Sequence, residues 1–101
     1  MQFEVPYDKI MEFCRTWHIN EMSLFGSVLR DDFTLGSDID VLVCFDETTH
    51  CGLFDLVRME YELKEIFGRN VDLVSKRGIE ASRNSLRRDA ILNSAKVIYA
   101  A

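Results

Sequence analysis

The sequence predicts an α+β fold in which helices pack on a mixed β-sheet of about four strands. Segments with apolar residues at helical spacing alternate along the chain with shorter segments in which every second residue is apolar. Apolar residues make up 48% of the 101 residues, as in an ordinary globular domain. Pro6 is the only proline, and no repeat or linker-like stretch divides the chain, so we expect a single domain over residues 1–101.

The first third of the chain predicts a helix, a short strand and a turn. Apolar residues at helical spacing begin after Pro6 and fade near His18. Residues 21–25 then predict a short strand. A Gly-Ser turn, the first turn of a short helix and a loop are expected to follow, at Gly26-Ser27, residues 27–30 and residues 31–36.

The clearest strand signal runs from Ser37 to Phe45. Side chains of a strand point alternately to its two faces. One face therefore carries three apolar residues, and the other carries two aspartates and a leucine. The two sets are Ile39, Val41 and Val43, and Asp38, Asp40 and Leu42.

A polar connection over residues 46–52 precedes the most regular helix pattern, from Leu53 to Phe67. Gly68 stands where this helix is expected to stop, because glycine readily adopts the left-handed conformation that ends helices. The residues that give the helical spacing are Leu53, Leu56, Val57, Tyr61, Leu63, Lys64 and Phe67.

The last third of the chain predicts a strand, a helix and a closing strand. In the strand over residues 70–75, Val71 and Leu73 share one face, whereas Asp72 and Val74 share the other. The helix is expected over residues 79–93, and residues 96–99 are expected to close the sheet. The apolar points of that helix are Ala81, Leu86, Ile91 and Leu92.

The formal net charge of −5 is unevenly distributed. Residues 1–75 contain six Lys or Arg against fifteen Asp or Glu, whereas residues 76–101 contain six against two. An acidic body disfavours general binding of nucleic acid, which needs a basic face for phosphates. The basic segment predicts either a solvated helix face or a surface for an anionic partner or a nucleotide.

The sequence predicts a cytoplasmic protein without a membrane span. No apolar run approaches the roughly 20 residues that cross a bilayer, and the N-terminus lacks the features of a signal peptide. The three cysteines are Cys14, Cys44 and Cys51, and none lies in a CxxC pair. We therefore expect reduced thiols that pack as small apolar groups.

Three aspartates on two predicted strands suggest a metal site. Asp38 and Asp40 are two residues apart on one strand face, about 7 Å along the strand. Two carboxylates this close repel unless a cation shares the site, and Mg²⁺ accepts such oxygen ligands together with substrate phosphates. If the second strand pairs beside the first, Asp72 joins them. Such a cluster suits a two-metal site for phosphoryl or nucleotidyl transfer.

The turn at Gly26 and Ser27 offers donors that carboxylates lack. Glycine allows the backbone to approach a phosphate closely. The Ser27 hydroxyl and free N–H groups at the start of a helix can bind outer phosphates. Arg30, one helical turn later, can add a charge-assisted contact.

Gly26-Ser27, ten residues and then Asp38-Ile39-Asp40 resemble the signature of the DNA polymerase beta-like nucleotidyltransferase superfamily. The short chain and the Gly36-Ser37-Asp38-Ile39-Asp40 form resemble its minimal nucleotidyltransferases (MNT). The resemblance implies a mixed sheet, two Mg²⁺ ions and a nucleoside triphosphate donor such as ATP. It also implies metal ligands at Asp38, Asp40 and Asp72, and nucleotide-binding residues at Gly26, Ser27, Arg30 and Ser37.

Larger relatives of the superfamily carry a further domain that holds the acceptor, and we expect no such domain in these 101 residues. Members of the minimal family are typically antitoxins that transfer AMP from ATP to a tyrosine of a HEPN ribonuclease toxin. The resemblance therefore implies a HEPN partner in a hetero-oligomeric complex. Two alternatives remain open: a transferase that acts on a small molecule or an RNA end, and an antitoxin that neutralises its partner by contact alone.

Overall fold

The computed structural model describes residues 4–29, 38–46 and 52–101. Four strands and four helices, with one 3₁₀ turn, follow one another in these ranges. Their order is α1 (Tyr7–Thr16), β1 (Ile19–Phe25), the 3₁₀ turn (Gly26–Leu29), β2 (Ile39–Phe45), α2 (Leu53–Phe67), β3 (Val71–Ser75), α3 (Lys76–Glu80), α4 (Ser85–Ser94) and β4 (Lys96–Ala100). The predicted α+β class is confirmed.

The four strands form one mixed sheet in the order β3-β2-β1-β4. Strand β1 pairs antiparallel with both β2 and β4, whereas β2 and β3 run parallel. A parallel pair needs a crossover connection, and α2 supplies it. The start of β2, the start of β3 and the end of β1 therefore lie at the same end of the sheet.

Helices α1 and α2 cover one face of the sheet, which we call the packed face. Its core includes side chains of α1, β1, β2, β3 and α2 that are almost fully removed from solvent. Trp17, at the C-terminal end of α1, contacts two residues of α2. Its Nε1 donates a hydrogen bond of 2.6 Å to Glu62, and its ring lies 5.6 Å from the Arg58 guanidinium. The core members from the elements are Ile10, Phe13, Cys14, Ile19, Met22, Leu24, Ile39, Val41, Val43, Met59, Leu63, Phe67 and Val71.

The opposite face, which we call the site face, has a thinner cover. Helices α3 and α4 each place one buried isoleucine on it, Ile79 and Ile91. These pack with Phe25 of β1 and Leu42 of β2 in a second, smaller cluster. Since strand side chains alternate, Asp40 and Asp72 belong to this face as well.

Helix α2 has the predicted bounds, and its buried residues match the predicted stripe at Leu63 and Phe67 but not elsewhere. Gly68 ends the helix with a φ of 69°. Met59, Leu63 and Phe67 are buried, whereas four large apolar residues point to solvent. These four are Leu53, Phe54, Val57 and Tyr61. Leu53, Val57 and Tyr61 belong to the predicted stripe, and the prediction was wrong for these three residues. Met59 fits a helical stripe equally well, and it is Met59 that packs in the core.

The helix predicted over residues 79–93 is two helices, so that prediction was wrong. Ser75 caps α3 by accepting a hydrogen bond from the Gly78 N–H, and Asn84 caps α4 by accepting one from the Arg87 N–H. Side chains that bond to nearby backbone in this way end or begin helices. Ala81 and Leu86, predicted as apolar contact points, are exposed.

Two strand boundaries also differ from the prediction. Strand β1 begins at Ile19 instead of residue 21, because His18 adopts a φ of 58° that ends the preceding helical turn. The His18 carbonyl accepts a hydrogen bond of 3.0 Å from the Asp46 N–H. Strand β2 begins at Ile39 instead of Ser37. None of the helices within the described ranges is long and apolar enough to cross a membrane.

Candidate active site

Three strands bring the candidate residues together at one end of the sheet. Asp40 is the register partner of Phe25 on the antiparallel side and of Asp72 on the parallel side. Neighbouring strands lie about 4.8 Å apart, so the backbones of Asp40 and Asp72 are direct neighbours. The predicted pairing that brings Asp72 beside the first two aspartates is the pairing that the structure contains.

Gly26 follows Phe25 directly and turns the chain toward Asp40. Its φ of 74° lies in the left-handed region that favours glycine. A Cβ atom built at Gly26 would overlap the Asp40 carboxylate, with the Asp40 Cγ only 3.2 Å away. The absence of a side chain at residue 26 therefore leaves the space that the Asp40 carboxylate occupies.

The surroundings of the three aspartates differ. Asp38 lies just before β2 and is exposed, as is Asp72 on the edge strand β3. Asp40 is half-buried in the central part of the sheet. It lies next to Phe25 on β1 and two residues before the buried Leu42, which is on the same face of β2. Burying a carboxylate to this depth costs free energy unless it has partners. The carboxylates beside Asp40 are exposed, so a ligand has room to reach them.

Part of the predicted site lies outside the described residues. Arg30 and Ser37 lie there, together with most of the ten residues between Ser27 and Asp38. The side chain of Ser27 also lies outside the description. The backbone of Ser27 belongs to the 3₁₀ turn Gly26–Leu29. The proposed contacts of these residues with phosphate stay predictions.

The three aspartates offer oxygen ligands of the kind that hard divalent cations accept. Among the described residues, no group of three or more His, Cys, Asp or Glu is gathered closely enough to enclose a metal ion. Mg²⁺ is usually held by one or two carboxylates together with substrate phosphates and water, and dedicated all-protein cages are uncommon. Asp40 with its register partner Asp72, and Asp38 two residues away, fit such a partial site.

Sequence reasoning missed that the basic segment lies on the site face. Ile79 and Ile91 anchor α3 and α4 on Phe25 and Leu42, which are immediate neighbours of Asp40 in the sheet. The sequence signal for this placement was the two isolated isoleucines, Ile79 and Ile91. Because they lie on two different helices, their spacing does not identify the sheet face that they cover. The basic segment and the carboxylates therefore share one side of the molecule.

Cys14 takes no part in this site. Cys14 is fully buried in the packed face, and burial raises the pKa of its thiol from 9.0 to about 12. Cys14 and Cys44 are free thiols, as predicted, and Cys51 lies outside the described residues. A thiol that stays protonated is a poor nucleophile, so Cys14 has a packing role.

Comparison with known families agrees with this geometry. The family model described as "Nucleotidyltransferase domain" matches residues 8–98. The chain belongs to this family. This nucleotidyltransferase is 39% identical over 87 residues to a protein of Methanocaldococcus jannaschii named "Putative protein adenylyltransferase MJ0435", and the match spans 86% of this chain and 87% of that relative.

Two solved structures have the same fold as this nucleotidyltransferase. A toxin–antitoxin structure with AMP-PNP matches 96% of this chain and 75% of its own with a TM-score of 0.74 and 20% identity. A structure of the tri-AMPylated Shewanella oneidensis HEPN toxin with its MNT antitoxin matches 94% and 70% with a TM-score of 0.66 and 21% identity. The family resemblance predicted from the motif is confirmed.

Proposed function

We propose that this chain is a Mg²⁺-dependent protein adenylyltransferase that acts as an antitoxin. It transfers AMP from ATP to a tyrosine of a HEPN ribonuclease toxin and so neutralises it. The observation that carries the proposal is the pairing of Asp40 with Asp72 beside the Gly26 turn. The 39% identity to a relative named for protein adenylyltransferase activity and the fold shared with an MNT antitoxin support the acceptor class.

The reaction is an in-line displacement at the α-phosphorus of ATP. The tyrosine oxygen forms a bond to this phosphorus, the bond to the bridging oxygen breaks, and pyrophosphate leaves. Mg²⁺, when bound, supplies positive charge that offsets the charge of the phosphates and the leaving group. Asp38, Asp40 and Asp72 are the residues that would hold it.

The chain's own residues have three tasks in this reaction. The Gly26 turn admits the phosphates close to the backbone. Asp40, fixed between two register partners, would hold Mg²⁺ in a defined place beside the reacting phosphate. An exposed carboxylate such as Asp72 accepts the proton that the tyrosine hydroxyl loses.

The proposed function also implies the extent of the domain and the cellular compartment. Residues 1–101 would act as one nucleotidyltransferase domain in the cytoplasm, where the partner toxin acts on RNA. The free thiols of Cys14 and Cys44 are compatible with this reducing compartment. The family match over residues 8–98 supports the extent of the domain.

Incubation of the chain with a HEPN protein of the same genome, ATP and Mg²⁺ tests the proposal. Intact-mass spectrometry should detect one or more AMP units on the HEPN protein, and peptide mapping should assign them to tyrosine. The double variant Asp38→Asn/Asp40→Asn should lower the rate by at least about 10²-fold, since even outer partners of metal ligands are worth 10–100-fold.

The double variant Asp8→Asn/Glu12→Gln is the matched control, because it also removes two negative charges, from exposed residues of α1 on the packed face. It should transfer AMP at the wild-type rate. A HEPN protein that stays unmodified by the wild-type chain would contradict the proposed function.

A further inference from the structure

The start of α4 carries an exposed surface, which we call the α4 patch and define as Arg83, just before the helix, and Leu86 and Arg87 in its first turn. Leu86 is 84% exposed, although leucine is one of the residue types most often buried. Both arginines are exposed as well, one three residues before Leu86 and one directly after it. Exposed apolar side chains beside arginine are typical of protein–protein interfaces, in which arginine is enriched.

The α4 patch lies on the helix that covers the site face. Ile91 and Leu92, on the inner side of α4, pack in the cluster that contains Phe25 and Leu42. Phe25 is the register partner of Asp40. A protein bound to the α4 patch therefore lies on the same side of the sheet as the candidate active site.

The net charge of residues 76–94 indicates the chemistry of the partner that binds the α4 patch. Residues 76–94 contain five Lys or Arg and two Asp or Glu, a net charge of +3, whereas the whole chain carries −5. The rest of the chain therefore carries −8. Arg88 already pairs with Asp89, at 3.5 Å, and no such pair engages Arg83 or Arg87 among the described residues. Charge complementarity requires an acidic surface on the partner.

We propose that the α4 patch docks the protein acceptor, through an acidic surface with an apolar recess for Leu86. The proposal rests on the proposed function, because it assumes that the acceptor is a protein. A nucleotide alone would account for the arginines but would leave Leu86 in water. Docking at this place brings the acceptor to the face of the sheet that carries Asp40 and Asp72.

The exposed stripe of α2 fits this acceptor less well. Leu53, Phe54 and Val57 are 75%, 85% and 58% exposed. However, α2 covers the packed face, so a protein bound there lies on the other side of the sheet from Asp40. An acceptor needs access to the reacting phosphate, and α4 offers it from the correct side.

Binding and turnover of the full chain with a HEPN protein of the same genome test the proposal. Arg83→Ala/Arg87→Ala and Leu86→Ser should each raise the Kd for that protein by about tenfold or more. The kcat at saturating HEPN protein and the Kd for Mg²⁺-ATP should stay at wild-type values. Arg15→Ala and Leu53→Ser are matched controls on α1 and α2 and should leave all three quantities unchanged.

The outcomes separate this inference from the proposed function. Binding that depends on the α4 patch without any AMP transfer would support docking and contradict the proposed catalysis. AMP transfer with an unchanged Kd in the α4 variants would overturn the docking proposal and leave the function intact. A raised Kd for Mg²⁺-ATP would overturn it in favour of a phosphate-binding role, and a loss of self-association would overturn it in favour of a second copy of this chain.

Discussion

The two faces of the sheet have different tasks, and their residues differ accordingly. The packed face carries fourteen buried apolar residues within the described ranges, supplied mostly by α1, α2 and the strands. The site face has a cluster of only four. The carboxylates and the net positive charge of α3 and α4 lie on the site face. The same central strand, β2, therefore places one set of side chains in the core and, in the proposed function, uses the other set for chemistry.

This difference follows from the free energy of burying charge. A carboxylate under a thick apolar layer loses its hydration and cannot reach a ligand. A thin cover lets Asp40 stay half-buried while its neighbour Asp72 stays in water. Stability must then come from the packed face, and substitutions on the two faces should have separable effects.

The largest expected effect concerns the stability provided by the packed face. Leu63→Ala should lower the free energy of unfolding by about 2–5 kcal/mol, because Leu63 is fully buried and leaves a cavity. Leu53→Ala in the same helix should change it by no more than about 0.5 kcal/mol, since Leu53 is 75% exposed. Urea unfolding measures both values. Equal losses would mean that the stripe predicted from the sequence is the packed one after all.

A smaller effect, on activity, is expected at the site face. Gly26→Ala should lower the rate of AMP transfer by about 10²-fold, because the new Cβ displaces the Asp40 carboxylate by roughly an ångström. Gly68→Ala is the matched control: its φ of 69° carries the same backbone penalty of about 1–2 kcal/mol, but nothing lies within 4 Å of its Cβ.

Both glycine variants should therefore lose similar stability in urea unfolding, whereas only Gly26→Ala should lose activity. If Gly68→Ala lost as much activity, the effect would come from backbone strain and the contact between Gly26 and Asp40 would be irrelevant to the reaction.

The smallest effect in the range up to pH 10, about 1.4 kcal/mol, concerns the buried thiol of the packed face. In the folded state the pKa of Cys14 is about 12, and in the unfolded chain it has its ordinary value of 9.0. The unfolded state alone ionises above pH 9, so this contribution to stability is complete below pH 9 and is lost as the pH rises toward 12. The slope is about 1.4 kcal/mol per pH unit.

Urea unfolding of the wild type and of Cys14→Ala at several pH values isolates that slope. The difference between their free energies of unfolding should be constant below pH 9 and fall above it, whereas titration of the other groups cancels. A difference that stays constant up to pH 11 would mean that the thiol ionises in the folded state too.

Local patterns predicted much of the fold because their physical causes are local. Alternation in β2 and β3 identified which residues share a face, and Gly68 marked the end of α2. The spacing of Gly26, Asp38 and Asp40 identified the family, as the match over residues 8–98 confirms. Each of these signals depends on a few neighbouring residues.

The errors arose where competing partners decide the outcome. On α2, both Leu53 and Met59 fit a helical stripe, and only contact with α1 and the sheet selects Met59. Between α3 and α4, the caps at Ser75 and Asn84 outweighed the apolar spacing that predicted one helix. Periodicity describes a helix face but does not say what that face meets.

The sequence by itself determined the residue types of the site, the faces of its strands and the family. The tertiary structure alone decided that Asp40 lies between Phe25 and Asp72, that Gly26 leaves room for the Asp40 carboxylate, and that the basic helices cover the site face. The physical reason is range. Conformational preferences act over a few residues, whereas strand register and packing are selected by contacts between segments that are far apart in the chain.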